Sequence, residues 1–575
     1  MKKITCAFFF LWITCLSAAQ TVPSIPDTWG TWGLGYIKNN NSLNIYTGYN
    51  IQGFHMYVSW DMLEPTKGNF KWDELDQQFE LLASRNLWIG LQVLVGPNCP
   101  AWIYNQTPQV FTTGGQDDGP YPYYLDQQYK DRYFFLLREL GKHLNALPAN
   151  IKRYFMYWQI SEGSTGDGEP YKGDVVDQKY AIDYYVWDDY KKAAWDSANV
   201  YRADSWYRLQ FNTGNFGENL QYANARFPRD QQKNGTLSHW YAFDGEILYY
   251  VRQYKDFLRL PFSLRTRGEV QDNFNKDWWM EAPVKNAFAL ACSALSGGLD
   301  MMNIAGGYIN ATLDSRPTDF FTKYAGLRFA AQSNKGFIAL RDVPDFSDTI
   351  RFPQEEYGRV IPASSENQFL NRIEKIENNP KDSSMFKYWQ KMKAVVQYLN
   401  PARVQKITDE FKDAGALYNE DGDDLHNDFG VNMVNNYSMF ITQIKPDETS
   451  IGGWRVGPDT SMYGRYCRLF KIERNVGEML FRFNENFAKA GVGITVTITY
   501  FDKGNGKWSI NGSNKRAIIT NKGTNQWVSK SLSVNNYVPN TQREGADFAL
   551  QYEDGDNTPF ALIEVETSEQ ALANE

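Results

Sequence analysis

Between about residues 28 and 345, short apolar runs alternate with stretches whose apolar residues recur at helical spacing, and this rhythm restricts the fold more than any other feature. Strands separated by helices cannot pair as hairpins, so they must lie parallel in one sheet with the helices as crossovers. The runs fall near 32–36, 53–60, 87–95, 153–160, 206–212, 237–243, 261–267 and 298–304. Eight βα units within about 320 residues are what a (β/α)8 TIM barrel with loop insertions requires. The intervening stretches agree. Asp73 stands as a cap before Leu75, Phe79 and Leu82 on one helical face, and Tyr129, Tyr133, Leu137, Leu140 and Leu144 form a second apolar stripe.

After residue 345 the pattern changes. Residues 346–445 read as a partly helical linking region with charged helices near 366–377 and 385–399, ending in the acidic run from Glu420 to Asp424. The last 130 residues alternate with period two: Ile494, Val496, Ile498 and Tyr500 on one face, Thr495, Thr497 and Thr499 on the other, then a turn at Asn505-Gly506. This predicts an antiparallel β-sandwich over 446–575. The expected organisation is a signal peptide at 1–19, a catalytic barrel at 20–345, the linker at 346–445 and the sandwich.

The signal peptide follows from Lys2-Lys3, the apolar run from Ala7 to Leu16, and the small residues Ser17-Ala18-Ala19. A lipobox ending at Cys15 is disfavoured by Trp12-Ile13-Thr14, so cleavage after Ala19 and export to the periplasm, medium or cell surface are expected. No other run reaches the length of a membrane span. Of the remaining cysteines, Cys99, Cys292 and Cys467, at most one pair could bridge, and buried free thiols are the expectation. A formal charge of −8 leaves no basic footprint for nucleic acid. Aromatic residues make up 16 % of the chain, with 18 Trp and 36 Tyr, which suits a protein that stacks sugars on aromatic planes. No His/Cys cluster has metal-ligand spacing and no phosphate-cradling loop stands out, so neither metal nor cofactor is expected. The acidic run with Asp428 lacks the EF-hand spacing and reads as a solvated loop.

Barrel enzymes carry their reactive groups at the C-terminal strand ends. The fourth run exits through Ser161-Glu162-Gly163 and the seventh through Gly268-Glu269-Val270. Strands four and seven face each other across the mouth, so the two glutamates can form the pair that glycosidic bond cleavage requires, with a solvated loop carboxylate or a barrel-rim ion pair as the competing reading of each. Glu169, in the loop after Glu162, is the rival acid; Asp244 and Glu246 end the sixth run. Trp60, Trp102, Trp158, Trp240, Trp278 and Trp279 are candidate sugar platforms, with core packing the competing reading of each. Asn212, His239 and Tyr241 are candidate partners for substrate hydroxyls. Arg265 and Arg267 alternate along strand seven; pointing inward, one would hold Glu269 ionised or receive a substrate anion.

The segments Ser59-Trp60-Asp61-Met62-Leu63-Glu64-Pro65, Gly68-Asn69-Phe70-Lys71-Trp72 and Pro97-Asn98-Cys99-Pro100-Ala101-Trp102-Ile103 resemble clan A glycoside hydrolases, especially the family 42 β-galactosidases. The resemblance implies that Glu162 is the acid/base and Glu269 the nucleophile, that the two carboxyl groups stand about 5–5.5 Å apart, and that anomeric configuration is retained. One departure is Ser161, where the clan has Asn contacting the sugar 2-hydroxyl. The terminal sandwich resembles jelly-roll accessory domains of polysaccharide-degrading enzymes. The expectation is an exported retaining glycoside hydrolase acting on β-galactoside-type linkages of a polysaccharide or its oligosaccharides, with red-algal galactans (agar, porphyran or carrageenan) as the narrower substrate. The alternative is a non-catalytic carbohydrate-binding protein on a degenerate barrel.

Overall fold

The computed structural model describes residues 28–114, 119–160, 170–202, 206–211, 237–241, 265–270, 280, 282–297, 299–327, 330–341 and 436–568. The expected signal peptide, the bulk of the linking region and the acidic run with Asp428 lie outside them.

Eight parallel strands close into a barrel in chain order. They are β1 (Gly30–Gly35), β2 (Gly53–Ser59), β3 (Trp88–Leu94), β4 (Phe155–Ile160), β5 (Arg208–Phe211), β6 (Leu237–Tyr241), β7 (Arg265–Val270) and β8 (Met301–Ile304). Gly30 to Gly33 pair with Met301 to Ile304, which shuts the ring. Because strand side chains alternate, each strand feeds two environments. Ile89, Leu91 and Val93 of β3 are buried in the cluster that the surrounding helices share. The opposite set fills the barrel: Trp32, Tyr157 and Met301 pack together there. Gly90 is required by this packing, since a Cβ there would stand 2.2 Å from the Tyr157 ring.

The helices bury the faces their periodicity predicts. On α1 (Asp73–Ser84) Leu75, Phe79 and Leu82 are buried, and on α2 (Gln127–Ala146) Tyr129, Tyr133, Leu137, Leu140 and Leu144. Asp73 is not a cap but the first residue of α1, where with Glu74 and Asp76 it complements the helix dipole. The true side-chain cap is on α2, where Asp126 accepts from the amides of Gln128 and Tyr129.

The C-terminal unit is a sandwich of two antiparallel sheets. One contains β9 (Lys335–Ala339), β10 (Tyr437–Met439), β12 (Ser450–Trp454), β13 (Tyr466–Phe470), β15 (Ile494–Phe501), β18 (Trp527–Val534) and β20 (Phe560–Thr567). The other runs β11 (Ile441–Ile444), β14 (Glu478–Phe483), β19 (Phe548–Asp554), β16 (Lys507–Gly512) and β17 (Lys515–Thr520). Val496 and Ile498 point into the core, while Thr495, Thr497 and Thr499 face Ser533, Ser531 and Ser529 at hydroxyl distances of 2.8–3.0 Å. The Asn505-Gly506 turn does not close a hairpin. β15 pairs with β18 and β20, and the chain after the turn crosses to the second sheet as β16. Tyr500 and Trp508 then meet edge-on across the core, ring centroids 4.9 Å apart.

The expected domain boundaries move. β9 lies within the stretch assigned to the barrel, yet pairs with β20 from Lys335↔Glu566 to Ala339↔Leu562. Residues 436–445, assigned to the linker, hold β10 and β11. The reason is edge pairing: β20 needs a partner on each side, and β9 supplies the one that β15 does not. Barrel and sandwich also share a core. Past α3 (Tyr184–Asn199), on α4 (Pro283–Gly297) and α5 (Arg316–Tyr324), Phe288 and Phe320 meet edge-on with ring centroids 4.9 Å apart. Phe288 meets Tyr463 at 5.2 Å and Phe320 meets Phe337 of β9 at 5.1 Å. The Tyr324 hydroxyl donates to Glu564 at 2.7 Å. Lys285 is fully buried at this seam, and its ammonium donates to the carbonyls of Val456 and Gly457, each at 3.0 Å. Among the described residues no helix is long and apolar enough to cross a membrane.

Two outcomes follow from the seam. A chain ending at residue 445 keeps β9, β10 and β11 but loses β20 and β14, so it should show no cooperative melt by circular dichroism; a sharp transition would refute the shared core. The second concerns pH. Burial lowers the Lys285 pKa to about 8, with Asp459 opposing. The unfolded chain therefore holds a proton that the folded one has released between about pH 8 and 10, and Lys285 favours folding as pH rises through that window. Buried thiols and tyrosines act in the opposite sense. The test is thus the difference: from pH 8 to 10 the stability of the wild type should gain on that of Lys285→Met, by on the order of 2 kcal/mol in urea denaturation.

Candidate active site

Glu269 is the penultimate residue of β7, inside the strand rather than past its end, because pairing continues through it: Tyr241↔Glu269 on β6 and Glu269↔Asn303 on β8. Arg265 and Arg267 pair in register with Leu237 and His239. Arg267 and Glu269 also sit opposite Met301 and Asn303, both wholly buried. Positions 267 and 269 therefore share backbone register rows with Met301 and Asn303. Ser161 and Glu162 follow directly after Ile160, the last residue of β4. They lie outside the described residues, as do Asn212, Asp244, Glu246, Glu169, Trp278 and Trp279. The ring order separates β4 from β7 by two strands on one side and four on the other, so their C-terminal ends stand across the mouth.

The segment carrying Glu162 is bounded on both sides by fixed backbone. β4 precedes it, and after it Asp174–Val175 pairs with Thr112–Thr113 of the loop that follows β3. The Val176 amide donates to the Phe111 carbonyl at 2.9 Å. Tyr121, Tyr124 and Tyr171 pack edge-on beneath this joint.

Two of the expected sugar platforms are core residues. Trp60 and Trp158 are each 0 % exposed. Trp158 occupies the outward parity of β4, since its neighbour Tyr157 fills the barrel; its ring lies beside Gly141 of α2. Trp60 leaves β2 as a short helix starts and packs on Tyr129 and Tyr133 of α2. Neither offers a face to a sugar. Trp102 is half-buried, its indole N–H donates to the Glu64 carbonyl at 3.1 Å, and Arg132 lies 5.2 Å over its ring. Trp240, His239 and Tyr241 are placed on β6, with His239 and Tyr241 in register with Arg267 and Glu269.

The Trp60-Asp61-Met62-Leu63-Glu64-Pro65 motif is a structural knot around Glu64. This wholly buried carboxylate pairs with Arg132 of α2, accepts the Trp60 indole N–H at 3.0 Å and accepts the Gly68 amide at 2.7 Å. It ties the β2 exit, the loop after it and the loop after β3 to one helix.

A polar layer inside the barrel escaped the sequence reading. His55 of β2 is wholly buried, with Nδ1 2.5 Å from the Tyr157 hydroxyl and Nε2 2.8 Å from Gln92 Oε1. The Tyr157 ring stacks on the imidazole at 5.6 Å. Gln159 and Asn303 are buried in the same interior rows. The available signal was parity: His55 and Tyr57, Gly90 and Gln92, and Tyr157 and Gln159 recur at period two within runs that read as uniformly apolar. Cys99, Cys292 and Cys467 are free and buried, and burial raises the Cys99 thiol to about 12.

The family model for glycosyl hydrolase family 42, described as beta-galactosidase, matches residues 46–121, the segment that holds β2, the Glu64 knot and β3. Over this segment the chain is similar to the family 42 β-galactosidases. No curated protein sequence matches the chain. Among solved structures, the catalytic domain of a beta-amylase from Paenibacillus polymyxa is 8 % identical, with 52 % of this chain and 98 % of that chain covered at a TM-score of 0.38. A GH5_18 protein from Bifidobacterium longum subsp. infantis is 11 % identical over 52 % of this chain and 80 % of that one, TM-score 0.36. A cold-adapted beta-galactosidase from Rahnella sp. R3 is 13 % identical over 49 % and 51 %, TM-score 0.31. Likeness at this level carries no argument about activity, and the barrel stands on its own strand pairing.

The knot makes a direct test. Arg132→Met leaves the Glu64 carboxylate buried without a counter-charge and should cost about 3–5 kcal/mol in urea denaturation. Adding Glu64→Gln to Arg132→Met should recover part of that loss; an Arg132→Met cost below about 1 kcal/mol would show that the pair does not hold the mouth together.

Proposed function

We propose that the chain is a glycoside hydrolase of the β-galactosidase type, with Glu162 as acid/base and Glu269 as nucleophile. The observation that carries the reading is the backbone place of Glu269, one residue from the C-terminal end of β7 and in register with Asn303 of β8, across the mouth from the strand that leads into Glu162. Similarity to family 42 across the β2–β3 segment supports it. In this reading Glu162 protonates the departing oxygen while the Glu269 carboxylate attacks the anomeric carbon; water then enters with Glu162 as base, and configuration is retained. Arg267 and Arg265 share the strand parity of Glu269, and the reading gives one guanidinium the part of keeping that carboxylate charged. His239 and Tyr241, one strand over in register with Arg267 and Glu269, would supply partners for substrate hydroxyls.

We further propose export, supported by the residues from Lys2 to Ala19, and a galactan or its oligosaccharides as substrate, with red-algal galactans as the narrower class, supported by the family similarity together with the aromatic content. Ser161, in place of the Asn that contacts the sugar 2-hydroxyl in the clan, favours a second reading, a carbohydrate-binding protein without turnover. Kinetics on nitrophenyl β-galactosides and a galactan panel separate the two. Glu269→Gln should lose at least about a thousandfold in kcat, and Glu162→Ala should spare substrates whose leaving group needs no proton and be rescued by azide as a glycosyl azide. Inverted product in a proton NMR time course, or wild-type rates in either variant, would remove the assignment.

A further inference from the structure

The barrel mouth between the exits of β1 and β3 carries groups that the glutamate pair does not use. Tyr36 directly follows β1 and is 45 % exposed. Its ring meets Tyr57 nearly perpendicularly, centroids 5.8 Å apart at 72°. Tyr57 belongs to the interior row of β2, is half-buried, and stands edge-on to His55 at 5.3 Å. His55 cannot shift easily, since Tyr157 and Gln92 hold both ring nitrogens. Asp61, exposed just past β2, accepts the hydroxyl of buried Ser59. Its charge, after burial, helps to raise the Tyr36 hydroxyl and also reaches the Cys99 thiol in the loop after β3. Because β2 lies between β1 and β3 in the ring, Asp61, two residues past its end, sits at the rim between their exits, and among the described residues it is oriented by a neutral hydroxyl rather than by a cation.

A rigidly backed tyrosine corner beside an oriented, solvent-facing carboxylate has the chemistry to hold one sugar ring. Pyranose C–H faces pack on the aromatic plane, and ring hydroxyls donate charge-assisted hydrogen bonds to the carboxylate. The same carboxylate repels a sulfate or uronate placed there. We propose that Tyr36, Tyr57 and Asp61 form a subsite that takes a neutral pyranose unit and discriminates against an anionic one. The inference rests on the glycosidase reading only for the identity of the chain to which that unit belongs.

Calorimetric titration of the whole chain with a β-linked galactotetraose and its sulfated counterpart tests this. The wild type should bind the neutral sugar about fivefold more tightly than the sulfated one at low salt, and Asp61→Asn should erase that preference. Tyr36→Ala should weaken the neutral sugar by about fivefold to tenfold with an unchanged melting temperature. Unchanged affinities in both variants, no binding by the wild type, or equal binding of the two sugars by the wild type would overturn the subsite. Hydrolysis is assayed in parallel, so the two ideas fail separately. Binding that follows the expected pattern without turnover would sink the glycosidase and keep the subsite; turnover with both variants at wild-type affinity would do the reverse.

Discussion

Everything at the mouth depends on the closure of the barrel by β1 against β8, elements that meet through contacts such as Asn303 to the Gly33 carbonyl, 270 residues apart in the chain. A contact of that range gives nothing back until the intervening units have formed, so closure is a late and collective event. Once the ring is shut, parity has no freedom left. A residue on a barrel strand lines the interior or faces the helices, and a one-residue slip would exchange the two sets on the whole strand. The place of Glu269 is a consequence of that constraint, because β7 is gripped on both sides, by Tyr241 and by Asn303.

The interior so enclosed is not uniformly apolar, and this has an energetic logic. A buried imidazole with an unsatisfied nitrogen would be costly, yet His55 has both of its nitrogens engaged, by Tyr157 and Gln92. A satisfied network of this kind fixes side chains in one arrangement where a greasy core would tolerate several. Its upper edge is Tyr57, so the rigidity of the layer is passed to the floor of the mouth. The Glu64–Arg132 pair acts similarly one shell out: it joins two loops to α2, and a buried ion pair with several further hydrogen bonds is well suited to fixing geometry even where its net contribution to stability is small.

Much of this was legible in the residues and some was not, for identifiable reasons. The eight strands are evident because most of the runs that form them are short and rich in apolar residues, punctuated by amphipathic helices; β2 was expected to reach residue 60 and ends at Ser59, because Trp60 already belongs to the next helical turn. β7 was expected to stop at Arg267, where its apolar run ends, whereas pairing carries the ladder on, to Glu269 against β6 and to Val270 against β8. The tryptophans misled because a large aromatic ring serves a barrel–helix contact as well as it serves a sugar, and for Trp158 only the parity of Tyr157 decides which. The boundary at residue 445 was misplaced because β9 and β10 pair with partners far away in the chain, and a long-range partner leaves no local trace.

The seam between barrel and sandwich shows why the two units should be treated as one folding entity. α4 is buried nearly all round, as a helix must be when both of its sides are covered, and it lies between the barrel wall on one side and β10 with the connection from β12 to β13 on the other, through Ser296, Lys285 and Phe288. A barrel helix normally has one wet face; here the sandwich supplies the second dry one. The sandwich in turn completes its first sheet with β9, which begins at Lys335 after α5 has ended at Tyr324. Each unit therefore contributes part of the other's interior, and the short path from β8 through α5 to β9 places the sandwich against the side of the barrel that closes the ring. That is the side on which β7, with Glu269, and β1, with Tyr36 just beyond it, flank β8, so the domain that seemed an appendage buttresses the strands on which the proposed chemistry stands.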